Sequence, residues 1–381
     1  MMRSPNYRFY VAISLPLLVI AGYWLLSLAQ ENSTQKKVPV KVNSQAKKPE
    51  SAAKKIPKTK DFTIAAVGDV MFDRRVKSAI EANGANWPFA KTASKLKAEL
   101  SIANLESSLA AAGTPTKGKD VVFQGTPKGI DSLTYAGFNL VSLANNHALD
   151  YGLVSLKETR TRLKKHGITF TGAGADKSEA YKPALIKIGD LNVGFLSFSD
   201  IIPFNSFPSE KSPGIAPARD STKVASKIKA LRKKVDIVIV SFHWGIEYDD
   251  YPNGKQKELA VAAVDAGADL VIGHHPHVTQ GIAIYKGKLI LYSLGNFVFD
   301  RFKTKTAQTF ILRMNMNYKG EFSFVRIIPV FISSSGQPAI VTGGEADSIL
   351  TRLKQISGKY SKFLKDDNST FVIDNRNGNI K

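Results

Sequence analysis

The chain has 381 residues, with 53 Lys and Arg against 32 Asp and Glu, six His and no Cys. With 43% hydrophobic and 22% charged residues, it has the composition of one large globular domain or two ordinary ones, not of a disordered chain. The lack of cysteine excludes a disulfide scaffold, a thiolate zinc site and a cysteine nucleophile, while the formal charge of +21 favours anionic partners.

Residues 9–30 carry no charge, and 11–26 are dense in Leu, Ile and Val, long enough to cross a hydrocarbon core as a helix. Arg3 and Arg8 supply a basic flank, and Tyr10, Tyr23 and Trp24 suit membrane interfaces. Ser27 and Ala29 before Gln30 also fit a cleaved signal peptide, but the apolar stretch is longer than a usual signal core. An uncleaved N-terminal transmembrane helix over residues 1–30 is therefore expected. Lys36, Lys37 and Lys41 nearly balance Arg3 and Arg8, so flanking charge does not set the orientation. Export of the larger part is the expectation, giving a single-pass protein of the cell membrane with an extracellular soluble domain. Residues 31–60, rich in Lys, Ser, Gln and Pro, read as a flexible linker. Residues 1–60 account for +9 of the net charge and 61–381 for +12. No Arg–aromatic run, zinc-finger spacing or RNA-binding sheet motif occurs, so nucleic acid is not an expected partner.

From residue 61 short apolar runs alternate with helical patterns, the mark of an α/β domain. The runs end on polar groups: 62–67 at Gly68-Asp69, 100–103 at Asn104-Leu105-Glu106, and 138–143 at Ala144-Asn145-Asn146-His147. Next, 236–242 ends at His243-Trp244-Gly245, 270–272 at Gly273-His274-His275-Pro276-His277, and 288–293 at Leu294-Gly295-Asn296. Ligands of open α/β sheets bind beyond the carboxyl ends of strands, and five of the six histidines fall there. The sixth, His166, follows a Lys-rich helical stretch, where imidazole meets the last carbonyls of a helix. Histidine mixed with carboxylate and amide oxygen suits one or two divalent ions such as Mn, Zn or Fe. On an extended segment His275 and His277 would face one side, with His274 turned away. No nucleotide-binding glycine loop and no G-x-S-x-G elbow is present. Residues 61–345 read as the domain, followed over 346–381 by an amphipathic helix around 349–363 and a polar tail.

At these strand ends the sequence resembles the CapA family of capsule (poly-γ-glutamate) synthesis proteins. The resemblance rests on Ala65-Ala66-Val67-Gly68-Asp69-Val70-Met71, Ala103-Asn104-Leu105-Glu106 and Ala144-Asn145-Asn146-His147-Ala148-Leu149-Asp150-Tyr151-Gly152. It continues through His243-Trp244-Gly245-Ile246-Glu247-Tyr248, Gly273-His274-His275-Pro276-His277-Val278 and Tyr292-Ser293-Leu294-Gly295-Asn296-Phe297-Val298-Phe299-Asp300. It implies a membrane-anchored extracellular protein of capsule or poly-γ-glutamate biosynthesis or export. Its partners would be an anionic polymer such as poly-γ-glutamate, the membrane and other membrane proteins of the synthesis complex.

The family is in turn similar to calcineurin-like metallophosphoesterases, which implies packed mixed β-sheets flanked by helices and a metal-dependent hydrolase site. On that resemblance Asp69 and His277 would hold a first metal, Glu106 would bridge, and Asn146, His243 and His275 would hold a second. His147 would be catalytic, protonating or stabilising the leaving oxygen. Met71 stands where those enzymes carry histidine, and Glu106 where they carry Asp; Asp73 is a candidate substitute. Asn104, His274, Glu247 and Asn296, with Asp73, are candidates for outer-layer or substrate contacts. Beside the capsule-protein reading stand a surface metal-dependent phosphoesterase and a non-catalytic polymer-binding module of the same fold, the last suggested by Met71.

Overall fold

A computed structural model describes residues 61–300 and 303–380. Strands β1 (Phe62–Val70), β2 (Leu100–Leu105), β3 (Leu140–Ser142) and β4 (Thr169–Thr171) lie side by side and parallel. The other edge of β1 pairs antiparallel with Gln308–Met316, which pairs with Phe322–Ile332, in a ten-stranded mixed sheet. A six-stranded sheet centres on the parallel strands Leu191–Ser199, Ile237–His243, Leu270–His274 and Lys288–Leu291.

Alternation along the strands sets the layers. Ile237 and Ile239 join Val193 and Phe195 in a core shared with Ile64, Ala66 and Leu312 of the larger sheet. Val238, Val240 and Phe242 face the opposite way. There they pack on Val224 and Ile228 of helix Ser221–Arg232 and on Leu259 and Ala263 of helix Gly254–Asp265. The larger sheet buries its outer face against helices Arg74–Asn83, Gly129–Ala136 and Gly152–Lys165 through Val76, Ile80, Ile130, Leu133, Leu156 and Leu163. Two mixed sheets thus share a core and carry helices outside, as the resemblance implied.

The expectation of a transmembrane helix needs correction, and with it the reading of the chain as a single-pass, membrane-anchored extracellular protein. Among the described residues no helix is long and apolar enough to cross a membrane. The longest, Gly152–Lys165 and Gly343–Ile356, have 14 residues each, about 21 Å at 1.5 Å per residue against a hydrocarbon thickness of roughly 30 Å. Each also buries one stripe against the sheets and leaves a mostly polar outer face. The segment 9–30, on which the expectation rested, lies outside the described residues.

The C-terminal helix Gly343–Ile356 ends earlier than its apolar spacing indicated, and a short 3-10 turn, Gly358–Phe363, follows. Gly358 has φ +51°, a left-handed turn that stops the helix. Leu350, Leu353 and Ile356 enter the core between the sheets.

Near its carboxyl end β1 slips register against β2 between Ala66 and Asp69. A Cβ on Gly68 would stand 1.8 Å from the Gly295 carbonyl oxygen, while the Asp69 amide donates to that same oxygen at 2.9 Å. The close approach carries Asp69 to the sheet edge. Gly68→Ala should therefore destabilise the fold by about 3 kcal/mol or more, read from chemical denaturation. A variant as stable as the parent would refute this packing.

Candidate metal centre

The parallel strands bring their carboxyl ends to one edge, and register sets the neighbours there. Asp69 pairs with Asn104 on one side and Asn296 on the other, and His243 pairs with His274. Asn104 follows the β2 alternation: Ala103 and Leu105 face the outer helices, so Asn104 faces the other sheet. His243 lies between Phe242 and Trp244, which stack at 4.5 Å on the outer side. The Trp244 indole donates to the Tyr292 carbonyl at 2.8 Å, fixing the strand end that presents His243.

Glu106 is the hub. Its Oε1 lies 3.9 Å from His147 Nε2, 4.0 Å from His243 Nε2 and 3.8 Å from His277 Nε2. Asn104 Nδ2 donates to Asp69 Oδ1 at 2.9 Å and to Glu106 Oε2 at 3.1 Å. His277 Nδ1 is 2.8 Å from Asn296 Oδ1 and 3.6 Å from Asp69 Oδ2. Donation from Nδ1 to Asn296 leaves the Nε2 lone pair for a ligand. His243 Nε2 stands 2.8 Å from Asn146 Oδ1. Ligand atoms of Asp69, Glu106 and His243 lie within 4.8 Å of one another, as do those of Glu247, His275 and His277.

The electrostatics follow from burial. Burial, then the charge of Asp69, pushes Glu106 well above the usual carboxylate range. Burial would raise Asp69 too, but His274 and then His277 and Asn104 bring it below its ordinary value. Burial holds His147 down to about 4 against the pull of Asp150. His275 is held down to about 3, by burial and then His277, and His243 well below its usual range, by burial and then His275. Neutral imidazoles are the state that metal ligation requires, and a bound cation would offset the burial and Asp69 repulsion that keep Glu106 from ionising.

The donor set fits divalent metal. Buried polar atoms without a hydrogen-bond partner gather here: Glu106 Oε1, His275 Nδ1 and His274 Nε2. Such atoms are costly unless a ligand satisfies them. The two clusters suit one or two ions of the Mn, Zn or Fe kind.

Other candidates fall around this centre. His274 is fully buried behind Asp69, its Nδ1 3.2 Å from Asp69 Oδ1. His275 and His277 converge for a different reason than an extended segment: both adopt positive φ, +97° and +57°. Met71 is buried with Phe123 and Phe299, and its Sδ accepts from the Asp73 amide at 2.9 Å. Asp73 belongs to neither cluster; it precedes helix Arg74–Asn83, and its Oδ2 accepts from the Gln124 amide. His166 ends its helix with Nδ1 2.9 Å from the Arg162 carbonyl oxygen.

Two residues without a role in the sequence reading complete the His147 environment. Asp150 Oδ2 lies 2.6 Å from His147 Nδ1. Lys119 donates to Asp150 and, at 2.5 Å, to the Asn146 carbonyl. Asp150 stands in the motif of residues 144–152, three residues after His147, and that proximity is a signal in the sequence. Lys119 comes from a loop without periodicity, where no sequence signal marks it.

The fold and the buried histidine–carboxylate centre define a two-sheet α/β domain of metal-site type. The bacterial capsule synthesis protein family PGA_cap matches residues 63–301, and the chain belongs to it. It is 32% identical over 311 residues to the PGA biosynthesis protein CapA of Bacillus subtilis (strain 168), covering 81% of each chain. It is 28% identical over 365 residues to the capsule biosynthesis protein CapA of Bacillus anthracis, covering 94% of this chain and 84% of the other. Among solved structures it is similar to the Haemophilus influenzae NAD nucleotidase, at 13% identity and TM-score 0.41 over 78% of this chain and 63% of that one.

Proposed function

We propose that this domain is a metal-dependent hydrolase of the phosphoesterase type that works in the synthesis of an anionic capsule polymer such as poly-γ-glutamate. Support for the polymer comes from the names of the relatives and from the +12 charge of residues 61–381. The observation that carries the reaction class is the convergence of the His147, His243 and His277 Nε2 atoms on Glu106 Oε1, a buried oxygen without a partner.

Asp69, Glu106 and His243 would hold one ion and His275 and His277 a second, with Asn146 beside His243. Two such ions, when bound, supply Lewis-acid stabilisation of an in-line displacement. His147 exchanges a proton at Nε2 with the reacting oxygen. Asp150 holds its Nδ1, so the ring cannot turn away, and Lys119 keeps Asp150 in place. Asn104 ties Asp69 to Glu106, which fixes the spacing of the two carboxylates.

The test is metal content and turnover of the full chain. After supplementation with Mn or Zn, one or two ions per chain are expected. Hydrolysis of p-nitrophenyl phosphate mono- or diesters should vanish on chelation and return on metal addition. A chain that takes up no metal overturns the proposal. Metal without turnover of any phosphoester selects the non-catalytic polymer-binding reading, which the burial of Met71 favours.

A further inference from the structure

Beyond Trp244 the chain leaves the core, and Ile246, Glu247, Tyr248 and Asp249 are exposed. Glu247 nonetheless returns a carboxylate oxygen to within 4.8 Å of ring nitrogens of His275 and His277, which are both buried. His275 Nδ1 has no hydrogen-bond partner there. An exposed glutamate in a loop has rotamer and backbone freedom to lose before it can ligate, so its position needs a cause.

The loop is fastened on either side of Glu247. The Tyr248 amide donates to the Pro276 carbonyl at 2.8 Å, and Gln280 Nε2 donates to the Asp249 carbonyl at 3.0 Å. Asp250 pairs with Lys305 at 2.5 Å and with Arg352. Lys305 also donates to the Tyr248 carbonyl at 3.0 Å. Arg352 donates to the Thr279 carbonyl at 3.1 Å and to its hydroxyl. Arg352 projects from helix Gly343–Ile356, whose Leu350, Leu353 and Ile356 are set in the core. The guanidinium is therefore held by a rigid element and spans the loop and the segment after His277.

We propose that Glu247 is a ligand of the divalent ion shared with His275 and His277, and that Arg352, acting through Asp250, is the positioning residue that keeps it there. This rests on the metal-centre reading above and gives the C-terminal helix a part in it. A ligand on a loop is as good as the shell that restrains it.

The experiment titrates full-length chain with Mn2+, reading affinity and stoichiometry by calorimetry and metal analysis, for wild type, Glu247→Gln, Arg352→Ala, Arg352→Lys and the double variant Glu247→Gln/Arg352→Ala. Melting of each metal-free protein is measured alongside. Glu247→Gln should weaken one ion at least ~10-fold and leave the other in place. Arg352→Ala should weaken the same ion by about 10-fold, the lower end for loss of an outer partner, and Arg352→Lys should restore part of it. The double variant should bind no more weakly than Glu247→Gln alone, because both changes act on one ligand. If wild type binds metal and Glu247→Gln binds it equally well, this inference fails and the metal centre stands. Additive losses in the double variant would overturn the positioning role. A wild type that binds no Mn2+ overturns both readings.

Discussion

Glu106→Gln should strip the domain of most of its bound metal and abolish any metal-dependent turnover. Three imidazole Nε2 atoms approach Glu106 Oε1 at 3.8 to 4.0 Å, and the residue is fully buried. The amide keeps the shape but removes the negative charge that a divalent ion shares with Asp69. The loss of affinity should exceed the ~10–100-fold that removal of an outer partner costs. The metal-free fold should not suffer. Burial and the neighbouring Asp69 already disfavour the ionised carboxylate, and a neutral isostere relieves that penalty. Metal analysis beside thermal melting reads both parts. A variant with wild-type metal content would remove Glu106 from the centre.

His147→Ala should separate proton transfer from metal binding. His147 Nε2 faces the Glu106 oxygen while Nδ1 is held by Asp150, the arrangement of a ring that moves a proton at a defined atom. It belongs to neither three-residue cluster. Metal content should stay near wild type, and turnover of a phosphoester should fall about 10²- to 10⁴-fold, the range for a positioned acid or base. Asp150→Asn should lower turnover less, since the ring remains but its orientation is weakened. Loss of metal in His147→Ala equal to that of Glu106→Gln would make His147 a ligand and sink the proton-carrier role.

Much of the centre was legible in the chain because a strand is a short, local object. A short continuous apolar run announces its own end, and Asp69, Asn104, Glu106, His243 and the histidines after residue 273 each follow such a run. Parallel strands point their carboxyl ends one way, so residues far apart in sequence share an edge. The amphipathic C-terminal helix was legible for a similar reason, though not its end at Ile356, which depends on a glycine turn.

Other features were decided only by packing in three dimensions. His275 and His277 meet one carboxylate because positive φ turns the segment at both positions, which spacing alone does not reveal. Met71 is drawn out of the centre by Phe123 and Phe299. Asp73 spends its carboxylate on the Gln124 amide, 51 residues away. Lys119 reaches Asp150, and Arg352 reaches Asp250, across 31 and 102 residues. Local pattern by itself determined the strands, their polar ends and the metal-ligand chemistry, because these depend on neighbours in sequence. Tertiary structure alone decided which ends meet, which candidate is turned aside and which distant cation fastens the loop that carries Glu247, because those outcomes are set by long-range burial and charge pairing.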